Sequence, residues 1–180
     1  IAIPRLLGTL GMIGAPFLAI SMALQPADRN SQVGQILEVF FMLGFYALLF
    51  GLASLGAFGR GKGRIALWLQ LTTLSVASLW TLSQAIKPGL GEGSLLYGIG
   101  DAGWPINMLM TLVTGITVAT VGRMTSWRRY AALACGLALP LLFASMAVLG
   151  HGAGGTFFSI YVAVTWAALG YAIRSEPAMS

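Results

Sequence analysis

Three titratable side chains stand near the start of three apolar stretches in a sequence that has few such groups. They are Glu38, Asp101 and His151, in a chain that holds five acidic residues and one histidine in all. An ionisable group inside or beside a membrane span is costly, and it usually faces the bundle interior or a water-filled cavity. We therefore predict an outward-facing polar pocket for a small molecule, a lipid head group or a proton.

Further polar and aromatic residues fall at a comparable depth in the apolar stretches. The predicted ligand-binding set is Glu38, Gln84, Asp101, Trp104, Asn107 and His151. Each has an alternative interpretation. Asp101 could cap a helix that begins at Trp104, with Pro105 in its first turn. Asn107 starts a stripe of threonines that would serve helix packing, and His151 could be an exposed loop residue.

Motifs for the common catalytic and metal chemistries are absent from the sequence. There is no Walker loop, no CxxC, no HExxH and no GxSxG elbow. One histidine and one cysteine cannot build a zinc site or a bis-histidine haem site from protein ligands alone. The sequence therefore favours a protein that is not an enzyme, predicts no metal site and leaves the cofactor unknown.

The composition indicates an integral membrane protein. The chain of 180 residues is 57% hydrophobic and 8% charged, whereas soluble domains carry about a quarter charged residues. Such a chain cannot cover a surface that faces water, so lipid must be its solvent. The net charge of +5 is explained by membrane topology, and we predict membrane lipids rather than nucleic acid as partners.

Six segments are long enough to cross the hydrocarbon core, which is about 30 Å thick. They cover approximately residues 5–24, 34–58, 65–86, 104–122, 130–150 and 156–174. All are apolar at odd and even positions alike, which is typical of helices rather than of barrel strands. We predict an all-α fold, a single six-helix transmembrane domain over 1–180. The chain opens at Ile1 rather than at methionine, so we expect further residues upstream.

The basic residues predict the orientation of these spans. Eight of the ten lysines and arginines fall on one side, namely Arg5, Arg60, Lys62, Arg64, Arg123, Arg128, Arg129 and Arg174. Only Arg29 and Lys87 fall on the other. Positively charged loops stay in the cytoplasm, so both termini are predicted to be cytoplasmic.

Small residues and prolines predict how some helices meet. Gly8, Gly11 and Gly14 lie on the first span and would let another backbone come close. Pro16 and Pro140 should kink the first and fifth spans.

The spacing between the acids and two Gly-Arg pairs is typical of a repeated helical hairpin. Glu38 and Asp101 are each followed 21 residues later by Gly-Arg, at Gly59 and Gly122. Two unrelated hairpins constrained by the same bilayer thickness would show this spacing as well.

Residues 98–143 resemble a group of uncharacterised bacterial six-helix integral membrane proteins. The group combines an acid and Trp-Pro at a helix start with a Trp-Arg-Arg inner loop, here Asp101, Trp104-Pro105 and 127–129. The resemblance implies a multi-pass protein of the bacterial cytoplasmic (inner) membrane and brings no established activity. A non-catalytic accessory subunit of a larger membrane complex, or a homo-oligomer, is the alternative to the pocket. The lack of catalytic motifs, the short loops and the small-residue helix faces favour it.

Overall fold

The computed structural model describes residues 2–24, 31–91 and 94–177. Within these ranges the chain is helical and forms no strand, which confirms the all-α class. The helices are α1 (Ala2–Gly14), α2 (Pro16–Leu24), α3 (Gln32–Ser54), α4 (Lys62–Ile86), α5 (Leu95–Val121), α6 (Arg128–Gly136) and α7 (Ala138–Ser175). Arg29, predicted in an outer loop, lies outside the described residues.

Five helical stretches of the described chain are long and apolar enough to cross a membrane. They are Ile3–Leu24, Gln32–Ser54, Lys62–Ile86, Tyr97–Val121 and Ala138–Ser175. The outward faces of these helices carry large apolar side chains, such as Leu79 at 69% exposure and Val148 at 81%. Exposed apolar surface on this scale fits a lipid environment, so the fold is that of a helical, multi-pass membrane protein.

The last helix is a hairpin rather than one straight rod. As a straight helix its 38 residues would measure about 57 Å, nearly twice the hydrocarbon thickness. Gly150 interrupts it with φ 77° and ψ 170°, a backbone conformation that favours glycine. The two arms then run antiparallel. The Ser145 hydroxyl in the first arm donates to the Gly154 carbonyl in the second at 3.2 Å, and the Tyr161 hydroxyl in the second arm donates at 2.6 Å to the carbonyl of Ala134 in α6, which precedes the first arm.

Both predicted proline interruptions are present. The break between α1 and α2 falls directly before Pro16. The break between α6 and α7 falls at Leu137, three residues before Pro140, whose missing N–H cannot donate to the Gly136 carbonyl. The predicted first and fifth spans are therefore each built from two helical pieces.

Glycines bring α1 close to two other helices, as predicted. A Cβ atom on Gly8 would lie 2.5 Å from the carbonyl oxygen of Gly170 in α7. A Cβ atom on Gly14 would lie 2.6 Å from the Cα atom of Gly44 in α3. Gly11 meets the side chain of Leu48. Backbones this close exclude any larger residue, so α1 is fixed in the bundle by its glycines.

One end of the bundle collects the basic residues, and we call it the basic end. Three pairs of neighbouring residues show which elements meet at this end: Gly8 with Arg174, Gly59 with Val121, and Arg128 with Ser175. Arg128 also lies 3.8 Å from the carboxylate of Glu176. The start of α1, the 55–61 turns, the 122–127 loop and the end of α7 therefore share this end. The predicted span 34–58 is shorter than expected, because α3 ends at Ser54.

Candidate functional site

A cavity of about 410 Å³ lies between α2, α3, α5 and both arms of α7, in the half of the bundle away from the basic end. Its lining is mostly apolar and aromatic, with two acids: Leu18, Met22, Glu38, Asp101, Trp104, Pro105, Met108, Leu139, Leu142, Phe143 and Phe158. Ligand pockets have this character, an apolar wall with a few polar groups. Three of the six residues predicted from the sequence, Glu38, Asp101 and Trp104, line it together.

Asp101 lies inside a helix rather than ahead of one. The structure corrects both the predicted start at Trp104 and the capping role, because α5 begins at Leu95. Ser94 is the cap, and its hydroxyl accepts a hydrogen bond from the backbone N–H of Tyr97 at 3.2 Å. Two helical turns later, the Asp101 side chain is exposed at the rim of the cavity.

Pro105 removes one backbone hydrogen bond of α5 at the position of Asp101. It sits in the interior of α5, four residues after Asp101. Within an α-helix the N–H of residue 105 would donate to the carbonyl of residue 101, and proline has no N–H. The Asp101 carbonyl therefore lacks its regular helical donor.

Glu38 enters the cavity from the second turn of α3. Its side chain is half-buried, and the fully buried Ser21 hydroxyl donates to its Oε1 at 3.1 Å. Both side chains have a further interaction besides this one. Glu38 thus faces the bundle interior rather than lipid, which is the placement that an intramembrane acid requires.

Trp104 forms one wall of the cavity, and its indole N–H is not available to a molecule bound there. Its indole N–H donates to the Thr81 hydroxyl of α4 at 3.2 Å. Its ring stacks on Phe41, with ring centroids 6.2 Å apart and planes 19° apart. Phe41 in turn packs on the buried Trp166 at 5.9 Å. This aromatic cluster closes the cavity toward the bundle core and holds Trp104 in one orientation.

The Asn107 side chain faces α4 rather than the cavity, although it lies only one turn beyond Trp104. It is fully buried against α4, where the Gln70 amide donates to its Oδ1 at 2.6 Å. Thr114 donates to the other end of the Gln70 amide at 3.2 Å, and Thr111 donates to the Asn107 carbonyl at 2.9 Å. The polar stripe on α5 therefore serves packing between α4 and α5.

Gln84 and His151 also lie outside the cavity lining. The Gln84 amide closes the turn after α4, accepting from the Gly89 N–H at 2.9 Å and donating to the Leu90 carbonyl at 3.2 Å. His151 is exposed at the tip of the α7 hairpin, directly after Gly150. Neither joins Glu38 and Asp101 in lining the cavity.

Several lining or supporting residues were not predicted from the sequence. Met108 continues the spacing of 101, 104 and 105, so helical periodicity could have found it. Ser21 is one of two hydroxyl residues in the first predicted span, which was a usable signal. Leu139 and Phe158 have no such signal, because an apolar residue that lines a cavity looks the same in sequence as one that faces lipid.

The described residues contain no group of histidine, cysteine and acidic side chains able to hold a metal ion. Cys135 is buried, and its thiol donates to the Thr165 carbonyl at 3.3 Å. Comparisons with models of known protein families, with curated proteins and with solved structures find no match to this chain.

Proposed function

We propose that this chain is a six-span integral membrane protein whose cavity binds a small molecule at the outer face. In this arrangement α1 with α2, α3, α4, α5, α6 with the first arm of α7, and the second arm of α7 each cross once. Both termini are cytoplasmic, and the bacterial cytoplasmic membrane is the location that the sequence resemblance implies. The cavity shared by Glu38 and Asp101 is the observation on which the binding role rests.

The distribution of charge and aromatic residues supports this orientation. The basic end carries the eight basic residues that the positive-inside rule assigns to the cytoplasm. Trp127 and Tyr171 stack there, with ring centroids 6.4 Å apart, and both are about half exposed. Exposed aromatic rings at one level are typical of a membrane interface. The break at Gly150 supports six crossings rather than five.

Accessibility of single cysteines tests the orientation in intact cells. His151→Cys should react with a membrane-impermeant thiol reagent added from outside. Lys62→Cys and Pro177→Cys should react only after lysis, because they lie at the basic end. The unsubstituted chain is the control, since Cys135 is 1% exposed and should stay unlabelled. Labelling of Pro177→Cys from outside would contradict the six-span arrangement.

Filling the cavity tests the binding role. A molecule bound to the purified full chain can be released by denaturation and measured by mass spectrometry. Met108→Trp, and Phe143→Trp at a lining position that is 64% exposed, should reduce the amount retained. Ile106→Trp is the matched control, because Ile106 faces outward on the same helix and is outside the lining. Equal retention in all variants, or no retained molecule in the unsubstituted chain, argues against the pocket.

A second candidate function, a subunit of a larger membrane complex, is favoured by a crevice on another side of the bundle. Its volume is about 390 Å³, and it runs between α3 and α4 beside the hydrogen-bonded pair Tyr46 and Ser75, whose hydroxyls are 2.9 Å apart. Polar groups in an otherwise apolar crevice can bind a further helix. Purification in a mild detergent should then yield stable additional polypeptides, and Ser78→Leu in the crevice should release them.

A further inference from the structure

We propose that the cavity takes an amphipathic cation, with its head group at Asp101 and its apolar part between α5 and α7. The ligand enters sideways from the membrane. This inference rests on the proposed binding function and adds the chemical class of the ligand and its route. Three features of the cavity carry it: the polar atoms that it presents, the apolar extension beside it, and the side on which it opens.

The polar groups presented to the cavity are hydrogen-bond acceptors. Carboxylate oxygens come from Glu38 and Asp101, which both line the cavity. The one side-chain N–H of the described lining, on Trp104, is already donated to Thr81. A head group that donates hydrogen bonds and carries positive charge fits this set, whereas a carboxylate or phosphate finds no donor.

Asp101 is the carboxylate that can meet the head group. Glu38 is already hydrogen-bonded by Ser21 and has a further interaction. The Asp101 side chain forms no hydrogen bond or ion pair with any residue that the structure describes. Trp104, which lines the same cavity, adds an aromatic ring, and the faces of such rings attract cations.

A smaller apolar cavity of about 110 Å³ extends the site along α5. It shares Met108, Leu139 and Phe143 with the main cavity, and its further lining residues are Leu109, Leu112, Gly136 and Pro140. None of these side chains carries a charge or an amide. The combined space therefore has acidic acceptors at one end and hydrocarbon walls at the other, which matches a molecule with a polar head and an alkyl or aromatic body. Methionine side chains let such a wall adapt to different shapes.

The opening between α5 and α7 faces the outside of the bundle. α5 packs closely along α6 but makes few contacts with α7. Phe143 lines the cavity and is nevertheless 64% exposed, and Asp101 and Pro105 on the facing helix are exposed too. In a bilayer this side of the bundle meets lipid. An amphipathic molecule dissolved in the membrane can therefore reach the cavity without passing through the aromatic cluster.

Three ligands with one tail and different head groups test the class. Octylammonium, octanol and octanoate are titrated calorimetrically into the purified full chain in a neutral detergent. Octylammonium should bind about tenfold more tightly than octanol, as expected for hydrogen bonds to a charged group, and octanoate should bind most weakly. Asp101→Asn should remove this tenfold advantage and leave octanol binding unchanged, whereas Asp101→Glu should keep it. Met108→Trp should weaken binding of octylammonium and octanol alike, and Ile106→Trp should not.

The outcomes separate this inference from the proposed function. Equal binding of the three compounds, or a preference for octylammonium that survives Asp101→Asn, overturns the cationic class while the cavity still binds ligand. Binding that Met108→Trp and Phe143→Trp leave unchanged places the compounds elsewhere and overturns the inference. If none of the three compounds binds, the cationic class is again overturned. The proposed function is then tested separately, by whether the purified chain retains a bound molecule.

Discussion

The two halves of one face of α5 meet different surroundings, although their residues follow each other at regular helical spacing. Asp101, Pro105, Met108, Leu112 and Gly115 are separated by four, three, four and three residues. In the half near the basic end, a Cβ atom on Gly115 would lie 2.6 Å from the Cα atom of Leu133 in α6. In the other half, the same face lines the cavity.

The difference follows from how the neighbouring helix is built. Gly115 and Gly136 let the backbones of α5 and α6 come into contact, since a Cβ on Gly136 would lie 2.6 Å from the Cα of Leu112. One residue after Gly136, the helix is interrupted at Leu137, and α7 no longer follows α5 closely. The face of α5 thus lines a cavity where its neighbour stops following it, and Asp101, the one acid of α5, lies in that half.

The largest effect is expected where the backbones touch. Gly115→Ala should lower the free energy of unfolding in detergent by about 1–3 kcal/mol, because the new methyl group overlaps backbone atoms of α6. Gly98→Ala on the same helix is the matched control. A Cβ atom at Gly98 meets nothing within 4 Å, so alanine should be neutral or stabilise by up to about 1 kcal/mol. Similar unfolding midpoints for the two variants would show that α5 and α6 are not in contact.

A smaller effect is expected on the face of α5 that packs against α4. Gln70→Leu should lower the free energy of unfolding by about 1 kcal/mol, because it removes the donor to Asn107 and the acceptor of Thr114. Adding Asn107→Leu should recover part of this loss, since both buried partners are then apolar. Strictly additive losses in the double variant would mean that the two amides do not interact.

The smallest effect is expected for Asp101 at the rim of the cavity, and it is compared with that of Ser94 at the cap of α5. Ser94→Ala should lower the free energy of unfolding by about 1 kcal/mol through loss of the N-cap. Asp101→Ala should change it by about 0.5 kcal/mol or less, because the side chain is exposed and unbonded among the described residues. The opposite order in thermal unfolding would restore Asp101 as the capping residue and weaken its assignment to a ligand.

The cap itself shows where sequence interpretation reached its limit. Proline is common at the first position of a helix, and acidic residues are favourable near a helix N-terminus. The segment 95–103 contains three glycines, which favour a loop over a helix. In the structure two of these glycines allow α5 to pack tightly on α4: Gly100 meets the ring of Trp80, and a Cβ on Gly103 would lie 3.4 Å from the Ala77 backbone nitrogen. Tertiary packing outweighs the low helix propensity of glycine here.

The sequence by itself determined the class of solvent and the helical class. These follow from hydropathy along the chain and from backbone hydrogen bonds that each helix satisfies internally. Only the tertiary structure decided that Glu38 and Asp101 share a cavity while Asn107, six residues after Asp101, is sealed against α4. Which neighbour a helix face meets depends on which backbones can come into contact. It also depends on where an interruption, such as that at Leu137, ends the contact. These contacts are made between residues that are far apart in the sequence, so no local sequence pattern predicts them.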